Sequence, residues 1–327
     1  VITLPDGLSA RPMRPDDVPA LAELLSAAEA VDDTGVHESV EDLTGWWVNE
    51  LVDLERDSQV VATADGELVG YATAIAPPTF RDAYGVHLEG RVHPGWRGRG
   101  IGRALLAWQL ERGTQVHAER HPEAPARLTV TAYTSMPDVT AMLRRAGLVE
   151  ARWFFHMARP LTDLPEPREV EGVQLVPFSW DRDDEVRRAH NAAFTEHYGS
   201  SERDTTSWQV MFTGQSQFRP DLSVLALSDG AVVAYALSYV SEASAAVTGE
   251  RETYFGQIGV VPEARGRGLA KAVIVQALLV AAENDCQTAG LQVDSGNVSG
   301  ALGLYESLGF STSRTEVSWS RHLDPLR

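Results

Sequence analysis

Two stretches of this chain place glycine and arginine at a spacing suited to holding an anion. Val260-Val261-Pro262 leads into Arg265-Gly266-Arg267-Gly268-Leu269-Ala270-Lys271, and Val92-His93-Pro94 leads into Arg97-Gly98-Arg99-Gly100-Ile101-Gly102-Arg103. Glycines at alternate positions remove the Cβ atoms that would keep a ligand off the main chain. They also permit the positive φ values that turn successive N–H groups inward as a nest. A helix starting directly afterwards adds its unpaired first-turn donors and the partial positive charge of its N-terminus, so a pyrophosphate is the natural guest. Two other phosphate loops do not fit. The lysine-type loop ends Gly-Lys-Ser/Thr, which is absent, and the dinucleotide fingerprint needs a third glycine where Arg103 and Lys271 stand.

The pattern Arg/Gln-x-x-Gly-x-Gly/Ala after a strand resembles the acyl-CoA loop of the GNAT acetyltransferase superfamily, and both copies carry it at an offset of 168 residues, Arg97 to Arg265. The resemblance implies acetyl-CoA as cosubstrate. It also implies a CoA-binding role for both loops: Val260, Val261, Arg265, Gly266, Arg267, Gly268, Ala270 and Lys271 in the second, with Val92, His93, Arg97, Gly98, Arg99, Gly100, Gly102 and Arg103 in the first. Two such loops imply two tandem GNAT domains of a mixed α/β class, each a mixed, largely antiparallel central sheet flanked by helices. The tandem layout resembles that of actinobacterial mycothiol synthases, in which the second half is catalytic and the first degenerate. Asn191-Ala192-Ala193-Phe194 with His197 looks like the substrate-side helix of that group, although the acid it would carry near Tyr254 is missing.

The halves differ where chemistry would happen. Asn297, Ala301, Leu304-Tyr305-Glu306 and Gly309-Phe310 look like a second GNAT signature, on the helix facing the CoA thiol. Aligned on the helix-ending glycines, the first half has Ser135 for Asn297 and Leu143 for Tyr305. Acyl transfer from a thioester expels a thiolate, and a phenol of pKa ~10 beside the sulfur can hydrogen-bond or protonate it. Tyr305 is thus the expected general acid, or else a core aromatic of an amphipathic helix. Asn297 either bonds the ligand arm or caps its helix. The family takes its oxyanion donor from a main-chain N–H on the strand before the loop, which here falls on Val260. For the base, Glu252 heads a group that includes Glu250, Tyr254 and Gln257, with Glu89 matching Gln257 in the first half; a water chain would replace them all.

These residues need strands and helices to position them, and the pattern supplies the same order twice. In the first half Leu8–Met13 reads as a strand, followed by a helix capped by Asp16-Asp17 and a second helix over Val40–Leu54 after Ser39. A hairpin through Asp65-Gly66 joins Gln59–Thr63 to Glu67–Ile75, and Val86–Val92 feeds the loop. The helix behind the loop buries Ile101, Leu105 and Trp108. Arg127–Ala132 is a strand, Pro137–Ala146 a helix stopped by Gly147, and 150–158 the last strand. Residues 161–172, with Pro165, Pro167 and four acids, read as a linker between domains at 1–160 and 173–327. The second half gives strand Val173–Pro177, a helix from Asp183, a short helix over Ser207–Phe212, a hairpin around Asp229-Gly230 and strand Thr253–Val260. The helix after the loop, strand Ala289–Val293, a helix ending at Leu308 and a strand over Thr315–Ser320 complete it.

Composition bounds the function. A chain of 327 residues suits two domains, and no apolar run approaches the ~20 residues of a membrane span, so a cytoplasmic location is expected. The formal charge of −18 opposes nucleic acid and anionic membranes as partners, leaving a small-molecule amine as the expected acceptor. CoA is itself anionic, so the arginines of the two loops must form local basic islands. The single cysteine, Cys286, reads as a buried small hydrophobe, and no metal site is expected. Two function classes follow: an N-acetyltransferase whose second half attacks the thioester directly with an amine, or a non-catalytic acyl-CoA sensor or scaffold. Tyr305 and the intact second signature favour the enzyme.

Overall fold

The computed structural model describes residues 2–195, 200–296 and 300–326. Its first elements are β1 (Leu8–Arg11), α1 (Val18–Asp32), α2 (Val40–Trp47), α3 (Leu54–Asp57), β2 (Ser58–Thr63), β3 (Leu68–Ile75), β4 (Tyr84–Val92), α4 (Ile101–Arg120), β5 (Ala126–Tyr133), α5 (Pro137–Arg145) and β6 (Val149–Pro160). There follow β7 (Gln174–Pro177), α6 (Asp183–Ala193), α7 (Thr205–Trp208), β8 (Val224–Ser228), β9 (Ala231–Tyr239), α8 (Glu242–Thr248), β10 (Glu252–Val260), α9 (Leu269–Glu283), β11 (Thr288–Asp294), α10 (Ala301–Ser307) and β12 (Ser311–Leu323). This is the mixed α/β architecture expected.

Contacts divide the chain into two compact units, but not at residues 161–172. Residues up to Trp153 join those from Glu316 in one unit, and Phe154–Thr315 form the other. The reason is an exchange of strands. The C-terminal β12 pairs antiparallel with β5, from Glu316 opposite Tyr133 to Leu323 opposite Ala126, and Phe154–Pro160 of β6 pairs with β11. The first unit thus has strand order β1-β2-β3-β4-β5-β12, and the second β7-β8-β9-β10-β11 with β6 beyond. The expected linker is also no free tether. Leu161, Leu164 and Val170 pack on the core of the second unit, and the Leu161 amide donates to the Gln287 carbonyl at 2.8 Å.

Within each unit the helix after the glycine loop covers one sheet face and the N-terminal helices the other. In the first unit α4 packs Leu106 and Leu110 with Leu88 and Leu128, while α1 and α2 pack Leu21, Leu24, Leu43 and Trp47 with Tyr71. In the second, α9 buries Leu269, Val273 and Leu278 with Phe255 and Leu291, while α6 and α7 bring Val186 and Trp208 to Tyr235 and Tyr239.

Two local expectations need amending. The single helix over Val40–Leu54 is broken after Trp47. The Asn49 side chain donates through Nδ2 back to the Gly45 and Trp46 carbonyls at 3.0 and 2.8 Å, and Asp53 opens a new turn by accepting from the Arg56 main-chain amide. Helix α8 was not anticipated, although its ends are signalled: Ser241 Oγ accepts the Ser244 amide, and Gly249 closes it at φ 75°.

The exchange makes a test possible. Trp319 of β12 is 2% exposed and packs with Leu128 and Leu143. Trp319→Ala is expected to cost about 3–5 kcal/mol, the range for emptying a large aromatic site. Hydrogen exchange should accelerate in β4 and β5, near the other end of the sequence, more than in β10 and β11. Acceleration centred on β10 and β11 would contradict the pairing.

Candidate functional site

In the second unit β10 and β11 run parallel from Glu252 opposite Thr288 to Phe255 opposite Leu291, and there the pairing stops. Both strands continue, β10 to Val260 and β11 to Asp294, so they splay and leave one edge of β10 without a strand partner among the described residues. The direction of the exposed donors follows from the other edge. The Val261 amide donates to the Val233 carbonyl of β9 at 3.0 Å; because successive N–H groups alternate sides, those of Val260 and Ile258 face the splay. The first unit has the same opening, with β4–β5 pairing ending at Leu88–Val130 and the His93 amide bonded to Val69, which turns Val92 N–H toward the gap.

Only one of the two splays has a bulged strand. The β9–β10 register shifts between Phe255 and Gln257, leaving Gly256 as the extra residue, whereas β3–β4 runs without a shift from Gly70–Val92 to Ile75–His87. A bulge rotates main-chain groups out of the ladder and recurs beside functional sites. Glycine is required there by space, since a Cβ at Gly256 would stand 2.6 Å from the Tyr239 ring.

At the end of each of these strands a short 3₁₀ turn, Pro94–Trp96 or Pro262–Ala264, leads into the loop. Gly98 and Gly100 have φ 76° and 90°, and Gly266 and Gly268 have 79° and 81°, so both loops adopt the nest conformation. The amides of Gly98–Arg103 and of Gly266–Lys271 make no main-chain hydrogen bond outside helix ladders among the described residues. Gly102 and Ala270 are interchangeable in space: a Cβ at Gly102 meets nothing nearer than 3.7 Å.

The arginines have separate tasks. Arg97 makes a two-pronged ion pair with Asp32 at the end of α1, 2.7 and 2.8 Å, and its Nε donates to the Val92 carbonyl. Arg265 donates to the Ala193 carbonyl at the end of α6. Each therefore pins its loop to the opposite sheet face. Arg99 lies over the Trp96 ring at 4.5 Å, and Arg267 donates to the Glu171 carbonyl at 3.0 Å. Arg103 is exposed and Lys271 half-buried at the starts of their helices.

Tyr305, on α10, lies within the core cluster that holds Phe255, Leu269 and Val293, edge-on to Phe310 at 6.2 Å. Its hydroxyl makes no hydrogen bond to a described residue, and burial pushes its pKa up to about 12. Glu252 is not brought to the same place. It starts β10, eight residues before Val260, or roughly 25 Å along an extended strand. Its carboxyl faces Gly290, where a Cβ would be 2.8 Å away, and burial raises its pKa against the opposing pull of Arg314 and His156. The residue expected as base is thus set well apart along β10 from Val260, the residue expected to supply the oxyanion donor. Asn297 and His197 lie outside the described residues.

The face of β10 toward α6 holds groups that sequence reasoning missed. His190 Nδ1 and the Tyr235 hydroxyl are 2.8 Å apart, and the same hydroxyl would stand 2.5 Å from a Cβ at Gly259. Tyr239 donates to Gln257 Oε1 at 2.8 Å. The visible signal is Tyr235 and Tyr239 at spacing four on β9, the strand that pairs with the glycine-broken β10. On the matching face of the first unit, Tyr71 donates to Glu89 Oε1 at 2.7 Å, and Glu38, from the α1–α2 connection, has its pKa pushed up to about 7 by burial, then by Glu89 and Asp42, against Arg91.

Residues 20–127 and 184–310 both match the Acetyltransferase (GNAT) family. The chain belongs to the GNAT acetyltransferase family. A mycothiol acetyltransferase of Thermobispora bispora is 33% identical over 237 residues, 70% of this chain and 74% of that protein; one of Frankia alni is 31% identical over 322 residues, 93% and 91%. A GCN5-related N-acetyltransferase from Sphaerobacter thermophilus superposes with a TM-score of 0.75 at 26% identity, over 99% of this chain and 98% of its own. A tandem GNAT protein of clavulanic acid biosynthesis shares the fold, with a TM-score of 0.70 at 19% identity over 96% and 98% of the two chains. Each half of the chain thus carries its own GNAT region. Among the described residues no helix is long and apolar enough to cross a membrane, and no group of side chains could hold a metal ion.

Glu38 gives this site a pH signature. Its folded pKa is raised from 4.5, so the unfolded chain ionises first and stability falls as pH rises from about 4.5 through about 7. Glu38→Gln should therefore raise Tm at pH 8, by the equivalent of about 1–3 kcal/mol, and the gain should vanish toward pH 4.5. Thermal melts across that range check it; a gain independent of pH would contradict the burial of an ionisable carboxyl.

Proposed function

We propose that the second unit transfers an acetyl group from acetyl-CoA to the primary amine of a small molecule by direct attack on the thioester. The bulged β10, present in the second unit and absent from the first, is the observation that carries this reading. In it the nest at Gly266–Lys271 holds the pyrophosphate and the pantetheine arm enters the β10–β11 splay. The thioester carbonyl accepts from the Val260 N–H, a donor fixed by the β9 pairing of its neighbour and therefore in place before charge develops on the oxygen. The relatives' name puts the desacetyl form of mycothiol at the head of the acceptor panel.

Attack of the amine forms the C–N bond and a tetrahedral oxyanion, whose collapse breaks C–S. Tyr305 then meets the departing sulfur. A phenol with pKa near 12 facing an ordinary thiol of ~8.5 would give up its proton at a cost of about 5 kcal/mol. Its part is thus a hydrogen bond to the thiolate, with the proton lost by the ammonium reaching sulfur through solvent. Deprotonation of the acceptor is assigned to water, since Glu252 stands at the far end of β10. The first unit keeps a nest but has Leu143 in place of Tyr305 and an unbulged β4, and we assign it acyl-CoA binding without transfer.

Free thiol release from acetyl-CoA with an amine panel tests the reaction class: release that no amine accelerates would favour a sensor. Tyr305→Phe keeps the ring and deletes the donor. Its single-turnover rate should fall by about 10²-fold, the lower end for removing one hydrogen-bond donor aimed at developing charge, with acetyl-CoA affinity nearly unchanged. Because the hydroxyl stays protonated, the ratio of wild-type to variant rate should be constant between about pH 6 and 10. A wild-type rate in the Phe variant would make Tyr305 a core residue only.

A further inference from the structure

The segment expected as a linker touches the second nest. Val170 packs on the core of the second unit, the Val173 amide donates to the Val170 carbonyl at 3.0 Å, and Arg267 of the loop holds the Glu171 carbonyl at 3.0 Å. Just before these anchors, Arg168 lays its guanidinium against Gly268. A Cβ built on that glycine would stand 2.9 Å from Arg168 Cζ and 3.1 and 3.2 Å from its two terminal nitrogens. Gly268 is the left-handed residue from which α9 begins, so the guanidinium lies at the rim of the row of free amides.

Arg168 is exposed and has no ion-pair or hydrogen-bond partner among the described residues. That is unexpected by charge alone, because Asp163, Glu166, Glu169 and Glu171 surround it in sequence and the chain carries a formal charge of −18. Five N–H donors in a planar fork, left unneutralised beside inward-turned amides, complement a phosphate group. At the first nest a Cβ on the equivalent Gly100 meets only the loop's own Arg103, at 3.6 Å, and among the described residues no cation from another segment comes within 4 Å. Ile2 and Leu4 of the segment before β1 pack with Ile101, Leu105 and Trp96, and residues 2–7 contain no basic side chain.

We propose that Arg168 is a phosphate-binding residue of the second acyl-CoA site, a clamp delivered by the segment between the two sequence repeats. The clamp rests on reading both nests as acyl-CoA sites. It acts on binding of the anion and leaves the thioester chemistry to β10 and α10. Its contribution is that of a charge-assisted pair at a solvent-exposed rim, screened by salt.

Calorimetric titration of the full chain with CoA separates the possibilities. In a Gly100→Val background, which obstructs the first nest, Arg168→Gln should weaken CoA binding about tenfold, with Arg168→Lys intermediate, and the difference should shrink as salt is raised. In a Gly268→Val background, which leaves the first nest alone, Arg168→Gln should change nothing. Unchanged affinity in the Gly100→Val background overturns the clamp while leaving the nest reading intact. Tighter binding there would overturn it too, by showing that the guanidinium plugs the nest. Failure of CoA to bind in the Gly100→Val background would sink the reading of the second nest and the clamp with it.

Discussion

A parallel strand pair that parts company leaves main-chain donors with nowhere to go, and the second unit is built around that fact. Unpaired amides in a partly buried gap are costly. They persist where a ligand satisfies them, and here the gap between β10 and β11 is continued by six further free amides at the start of α9. Both sets belong to one strand–loop–helix unit whose rigidity comes from its flanks: β9 fixes the orientation of β10, Arg265 ties the loop to α6, and Leu269 roots the helix in the core. The acyl-CoA proposed for this site, with a carbonyl near one end and a pyrophosphate near the other, would be met largely by main-chain donors.

The duplication shows which parts of that arrangement are general and which are specialised. Both units keep the splay, the nest and the arginine that fastens loop to helix, through Asp32 in one case and the Ala193 carbonyl in the other. They differ in the bulge at Gly256, the phenol at Tyr305 and the cation at Arg168. The sheet face behind the splay differs as well: a carboxylate and an arginine, Glu89 and Arg91, lie beside Tyr71 in the first unit, where the second has Gln257 and Gly259 beside Tyr239 and Tyr235. The first unit thus invests in a charged cluster, the second in close approach of aromatic rings to backbone.

Much of this was legible in the sequence because it is local. The glycine loops, the helix stops at Gly147 and Gly309 and the hairpins at Asp65-Gly66 and Asp229-Gly230 are each set by φ requirements within a few residues, and the structure has all four glycines of the two nests left-handed. What was not legible is non-local. Alternation marks 150–158 and 315–320 as strands but is blind to their partners, so the exchange of β6 and β12 was invisible, and with it the true division of the chain. Glu252 lies on the strand that feeds the loop, but position along that strand decides reach: it starts β10, and its carboxyl is set against Gly290 of β11. Residues 161–172 read as a linker from Pro165, Pro167 and their acids; the apolar contacts of Leu164 and Val170 that hold the segment down are too sparse to form a period.

The central claim is that transfer occurs in the second unit and depends on its nest. Comparing acetyl-CoA turnover, with an accepted amine, in Gly268→Val and Gly100→Val proteins of equal thermal stability tests it most directly, since each change places a branched side chain at φ 81° or 90° in the equivalent position of the two loops. The account predicts that turnover is abolished in the first variant and largely retained in the second. Loss of turnover in the Gly100→Val protein, with the Gly268→Val protein still active, would contradict it.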